Sequence, residues 1–240
     1  MGLILFAFQY EIRREAADSA VAGQGEATTW AIEMKMECEE GIYHGGMPIT
    51  HLLYLHGFRS SPQSAKAQKM AVLVAERYPA VRWWCPQLPP SPQNAMALLE
   101  AGMVDWPAES MAVIGSSLGG FYATAVAERR GCRAVLLNPA VDPARNLAHH
   151  IGEQTTWQNP DAHFFFEAHF VDELRALYAG PLKIPSHYLA VIAKGDEVLD
   201  WREMAARYAH AQLLLLEGGD HALSDFDAHL PVILEFLDLA

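Results

Sequence analysis

Ser117 sits in Gly115-Ser-Ser-Leu-Gly119, which fits the spacing G-x-S-x-G. A serine hydroxyl is a weak nucleophile at neutral pH. It becomes reactive when a sharp turn exposes it and a nearby base takes its proton. The flanking glycines answer a steric need, because side chains there collide with the entering strand or the departing helix. Composition alone produces such a triplet in roughly one chain in ten of this length, so its setting decides. An apolar run at 111–114 precedes it and a helical pattern at 118–130 follows, the strand–turn–helix order that this chemistry requires. The turn also places the hydroxyl near a helix N-terminus, whose dipole favours developing negative charge. Ser116 lies off-centre between the glycines and is rejected as nucleophile. The plainer reading of these residues is a Ser/Gly helix cap.

Eleven histidines occur, so residue type alone selects no base. His221, in Glu217-Gly-Gly-Asp-His221, directly follows the last apolar run, 212–216, and is the expected base. His149 and His150 fall in an insertion and His229 in the final helix, where no strand edge presents them. The base needs a carboxylate that holds its tautomer and stabilises the imidazolium. Asp196, after the run at 187–193, is the expected acid, with Gly195 permitting a tight turn. Asp200 is the alternative acid, expected at the cap of the next helix; Glu197 and Asp220 read as solvated. Two backbone donors must also face the developing oxyanion. The expected ones are the N–H of Leu118 and the N–H of Phe58 in His56-Gly57-Phe58, where Gly57 allows close approach to substrate. His56 reads as a structural orienter of that loop. There is no phosphate loop, dinucleotide fingerprint or H-E-x-x-H pattern. A cofactor-free and metal-free mechanism is therefore expected. No residue is singled out for substrate binding.

These side chains need a scaffold, and the chain supplies an alternating one. Strands are expected at 51–55, 81–85, 111–114, 133–137, 187–193 and 212–216. Helices are expected at 64–78, with Ser64 as N-cap, and at 92–104, 118–130 and 226–239. A proline-rich loop, 86–92, closes the second strand. Strands joined by helical crossovers pair in parallel, and their continuous apolar character suits a sheet covered on both faces. The order Ser117, Asp196, His221 is that of the α/β-hydrolase fold. The expected architecture is thus a doubly wound, mostly parallel sheet with a helical insertion, about 142–185, after the fourth strand. Two readings of that insertion stay open: a cap that shapes the substrate pocket, or two helices packed on the flank.

The chain has 240 residues, 51% hydrophobic and 19% charged, which suits one hydrolase domain over residues 47–240. Its net charge of −12 repels phosphate backbones and anionic lipid, so nucleic acid and membrane are not expected partners. Cys38, Cys85 and Cys132 are odd in number and lack ligand spacing, which fits free thiols in a reducing compartment. Residues 2–10 are apolar but lack a basic lead and a clear cleavage site, and no apolar stretch reaches the ~20 residues of a membrane span. A cytoplasmic location is expected. Residues 1–46 carry 8 Asp/Glu against 3 Lys/Arg. They read as a poorly ordered extension, with Met47 the functional start. The alternative is an edge strand, from the alternation of Trp30, Ile32, Met34 and Met36.

A series of motifs resembles one known family. These are Tyr54-Leu-His-Gly-Phe58, Ser60-Ser-Pro-Gln-Ser-Ala-Lys66, Pro86-Gln-Leu-Pro-Pro90, Ile114-Gly-Ser-Ser-Leu-Gly-Gly120, Asn138-Pro-Ala140, Gly195-Asp-Glu-Val198 and Glu217-Gly-Gly-Asp-His-Ala222. From about His51 to the C-terminus the chain is similar to the small bacterial YqiA-type esterases. That resemblance implies a compact α/β-hydrolase acting on acyl esters or acyl-CoA thioesters, with nucleophile, acid and base at Ser117, Asp196 and His221. It does not extend to residues 1–46.

Overall fold

A computed structural model describes residues 47–239. The expectation for residues 1–46 lies outside them. Strand β1 (His51–Leu55) leads through helix α1 (Ala65–Arg77) to β2 (Arg82–Trp84), and α2 (Pro92–Gly102) to β3 (Met111–Ser116). Helix α3 (Leu118–Arg130) then leads to β4 (Arg133–Leu137). The insertion contains α4 (Pro143–Leu147), β5 (Gly152–Thr155), β6 (His163–Phe166) and α5 (Ala168–Ala176). The chain closes with β7 (Tyr188–Ala193), α6 (Trp201–Arg207), β8 (Gln212–Leu216) and α7 (Phe226–Phe236).

Six strands pair in parallel in the order β2-β1-β3-β4-β7-β8. Their side chains alternate between two cores, as the pleat dictates. Leu53, Val113, Leu136 and Ala190 face the side covered by α2, α3 and α5. Leu52, Ile114, Val135 and Leu189 face the side covered by α1 and α7. The expected doubly wound sheet is therefore present. Strand β3 continues past its expected end, because Gly115 and Ser116 keep pairing with Leu55 and Leu137. Ser64 occupies the N-cap of α1 without a side-chain capping bond, whereas Ser91 caps α2 by accepting the Asn94 amide at 3.1 Å. No helix among the described residues is long and apolar enough to cross a membrane.

The insertion differs from the helical one expected. Its two helices are separated by an antiparallel hairpin, β5–β6. Paired with Gly152–Thr155, the three consecutive phenylalanines lie in a strand, where alternate side chains take opposite faces. Phe166 is buried, Phe165 is exposed and Phe164 is half-buried. Asn159 shapes the hairpin's turn, its side chain accepting the Asp161 amide and its carbonyl accepting the Thr156 hydroxyl. Helix α5 packs Phe170, Val171 and Leu174 into the core beside α2. The helices of the insertion thus lie on the flank, as one of the two readings has it, and its hairpin reaches the loop after β1.

Candidate active site

The turn at Ser117 is built by close packing. Gly115 approaches α3 so closely that a Cβ there lies 2.2 Å from the Gly119 carbonyl oxygen. A Cβ at Gly119 lies 2.0 Å from the Leu55 carbonyl oxygen. Both positions therefore exclude any side chain. Between them Ser117 takes φ 56° and ψ −121°, a strained conformation worth about 1–3 kcal/mol for a non-glycine residue. Its neighbours hold it there. The Ser117 amide donates to Leu137 at 2.9 Å, and its carbonyl accepts Gly120 at 2.9 Å and Ala140 at 3.0 Å.

The parallel sheet delivers the other two side chains to the same carboxyl edge. His221 Nε2 lies 3.0 Å from Ser117 Oγ, and its Nδ1 lies 2.7 Å from Asp196 Oδ2. An ionised carboxylate only accepts hydrogen bonds. Nδ1–H therefore donates to Asp196, and Nε2 is left to accept the serine proton. The Asp196 side chain is fully buried. Its second oxygen accepts the amides of Val198 and Leu199, each at 2.8 Å, so the buried charge is met by hydrogen bonds on both oxygens.

Asp200 does not join this group. It caps α6, accepting the Arg202 amide at 2.9 Å. Asp220 binds Ser224, whose hydroxyl and amide hold its carboxyl below the usual carboxylate range. Glu197 is exposed, yet it is more than solvated: its Oε2 accepts the His221 amide at 3.0 Å. Gly195 lies in the tight turn expected there, closed by the Asp196 amide on the Ala193 carbonyl at 3.2 Å, and it also packs closely. A Cβ there lies 2.3 Å from the Gly219 carbonyl oxygen, so it permits close approach to the His221 loop. Gly218 and Gly219 supply the positive φ of that loop, 87° and 77°.

Two residues that sequence reasoning left without a role also hold this loop. Asn138 is fully buried with φ 42°. Its Nδ2 donates to the carbonyls of Asp220 and His221 at 2.9 and 3.2 Å, and its Oδ1 accepts the Ala193 amide at 2.8 Å. Lys66 donates from α1 to the Ala222 carbonyl. Burial lowers its pKa, opposed by the nearby Asp220 charge. Both residues stand in the motifs that carried the family resemblance, which was the one signal available.

On the other side of Ser117 lies the loop after β1. A Cβ on Gly57 lies 3.2 Å from Ser117 Cβ, so this loop abuts the serine itself. The amides of Phe58 and Leu118 have no intramolecular acceptor among the described residues. His56 is buried; its Nε2 accepts the Leu88 amide at 3.1 Å and its Nδ1 donates to the Gly57 carbonyl at 3.0 Å. Burial lowers its pKa, which suits this neutral tautomer. The ring joins the loop after β1 to the proline-rich loop after β2. The Phe58 ring meets Phe166 and Phe164 edge-on, at 5.4 and 5.9 Å between centroids. His150 lies 5.5 Å from the same ring. Cys85 and Cys132 are free, and burial pushes both thiols up to about 12.

The chain matches the model of the Uncharacterised protein family (UPF0227) over residues 51–238. It belongs to that family. The YqiA-type resemblance carried by its motifs points to this same UPF0227 family. Solved structures share its fold at low identity. A structure from the work on LipS and LipT, two metagenome-derived lipolytic enzymes, is 19% identical, with a TM-score of 0.60, over 81% of this chain and 95% of that one. The mouse alpha/beta hydrolase domain-containing protein 10 is 17% identical, with a TM-score of 0.58, over 78% and 89%. A monoacylglycerol lipase from Paleococcus ferrophilus is 14% identical, with a TM-score of 0.58, over 81% and 97%. This UPF0227 member therefore has the α/β-hydrolase fold.

Proposed function

We propose that this protein is a serine hydrolase that cleaves acyl esters through a covalent acyl-enzyme. The observation that carries this reading is the His221 imidazole, which bridges Ser117 Oγ and the buried Asp196 carboxylate at 3.0 and 2.7 Å. In the first step Ser117 Oγ attacks the acyl carbonyl while His221 Nε2 takes its proton. Asp196 holds the tautomer and stabilises the imidazolium. The negative charge that forms on the carbonyl oxygen is met by the N–H groups of Phe58 and Leu118. His221 then returns the proton to the departing alcohol, and the acyl group remains on Ser117. Water, deprotonated by His221, attacks the acyl-enzyme and releases the acid. The fold relatives described as lipolytic enzyme and monoacylglycerol lipase agree with an ester substrate. The same proton transfers serve a thioester, so comparing esters with acyl thioesters of graded chain length defines the leaving group.

Turnover of p-nitrophenyl acetate by Ser117→Ala tests the proposal. The expected result is loss of activity to the background of the uncatalysed reaction within about three to four orders of magnitude, with an unchanged circular dichroism spectrum. Undiminished turnover by a folded Ser117→Ala protein refutes the nucleophile assignment.

A further inference from the structure

Contacts that the proposed reaction does not use converge on Arg59, the residue after Phe58. Arg59 has φ 59°, a left-handed conformation that a side chain disfavours. Its Nε donates to the Thr155 carbonyl at 2.7 Å and its Nη2 to the Thr155 hydroxyl at 2.9 Å. Its own carbonyl accepts the Trp157 amide at 2.8 Å. The guanidinium carbon lies 4.2 Å from the Trp157 ring centroid. Thr155 ends β5, and Trp157 stands in the connection to β6. All four contacts therefore run to the insertion hairpin. Arginine suits them, because its planar fork serves two acceptors on one residue while its face stacks on an aromatic ring.

We infer that Arg59 is a positioning residue, which straps the β5–β6 hairpin to the loop after β1 and thereby fixes the Phe58 N–H beside Ser117. The inference rests on Phe58 and Leu118 being the oxyanion donors of the proposed reaction. His56 anchors this loop to the backbone at Leu88, and Arg59 anchors it to the insertion. The insertion thus acts on catalysis through a backbone donor as well as through any contact with substrate. A displaced hairpin misplaces a group that matters most in the transition state, so the effect falls on kcat.

The test uses Arg59→Gly in the full chain, because glycine adopts φ 59° without strain and only the strap is lost. For p-nitrophenyl acetate the expected kcat falls about 10- to 100-fold, while KM stays within about twofold. A trifluoromethyl ketone, which forms an oxyanion on adding to Ser117, loses affinity by the same factor as kcat/KM. Arg59→Lys recovers part of the loss. Thr155→Val, which leaves Arg59 in place, shows a smaller loss in the same direction and decides the matter if Arg59→Gly does not fold. A folded Arg59→Gly protein with unchanged kcat and ketone affinity, or with its whole loss in KM, overturns the inference. Ser117→Ala is measured beside it. An active Ser117→Ala overturns the underlying reaction and the inference with it. An inactive one beside an unaffected Arg59→Gly overturns the inference alone.

Discussion

The turn at Ser117 and the loop at His221 bring their side chains to one sheet edge by different means. The turn is fixed by backbone packed against backbone: Gly115 on Gly119, and Gly119 on Leu55. The His221 loop turns at Gly218 and Gly219, meets backbone at Gly195, and is otherwise restrained by side chains from three other places. Asn138 comes from the end of β4, Glu197 from the end of β7 and Lys66 from α1. A turn held by atoms in van der Waals contact fails abruptly when one atom is added. A loop held by several hydrogen bonds loosens in steps as each is removed. Ser117 is thus presented rigidly, and His221 is presented largely by a set of adjustable restraints.

The largest expected effect lies on the His221 side. Asp196→Asn should lower kcat about 10⁴-fold, measured on p-nitrophenyl acetate, while Asp200→Asn, which keeps the acceptor oxygen that caps α6, should leave activity unchanged and stability within about 1 kcal/mol. A greater loss of activity in Asp200→Asn places the acid wrongly.

On the Ser117 side, Gly119→Ala should destabilise the protein by about 3 kcal/mol or more, since its Cβ overlaps the Leu55 carbonyl. Urea unfolding reads this directly. A near-neutral result shows that the turn relaxes, and the contrast between the two regions disappears.

Asn138→Ala should be intermediate, with about 2 kcal/mol lost because the buried Ala193 amide is left unpaired. It should also lower kcat, since the His221 carbonyl loses its donor. Glu197→Ala should have the smallest effect on the loop, about 1 kcal/mol, and Glu197→Gln, which keeps an acceptor oxygen, should restore it. Equal effects from Asn138 and Glu197 contradict graded restraint.

A pH effect separates the loop after β1 from both regions. Burial holds the folded His56 below its ordinary pKa of 6.5, so the unfolded chain takes up a proton first as pH falls. The stability this residue contributes is complete above pH 6.5 and is lost as pH falls through its folded value. Thermal unfolding of the wild type should therefore decline in that window more steeply than that of His56→Asn. Parallel declines contradict a neutral His56.

The ease of reading each region from sequence follows the same division. The Ser117 turn was legible because its determinants lie within five residues and repeat a steric rule. The bounds expected for α3, β4 and β8 agree with the structure for a related reason, since each is a local apolar or helical pattern. Sequence reasoning also named the three side chains that the structure brings within hydrogen-bonding distance, from their positions at strand ends. It missed the restraints on the His221 loop: Glu197 lies 24 positions from His221, Asn138 lies 82 from Asp220 and Lys66 lies 156 from Ala222. No local pattern marks such contacts. The β5–β6 hairpin was missed because Phe164-Phe-Phe166 has no period to distinguish helix from strand. Its pairing with Gly152–Thr155 decides between them.

The proposed reaction requires one serine activated by the imidazole beside it. Treatment of the native protein with a fluorophosphonate probe, followed by peptide mass spectrometry, tests this most directly. A single adduct on Ser117 is expected, formed rapidly in the wild type and far more slowly in His221→Ala. An unlabelled folded protein, an adduct on another serine, or equal labelling rates in the two proteins contradicts it.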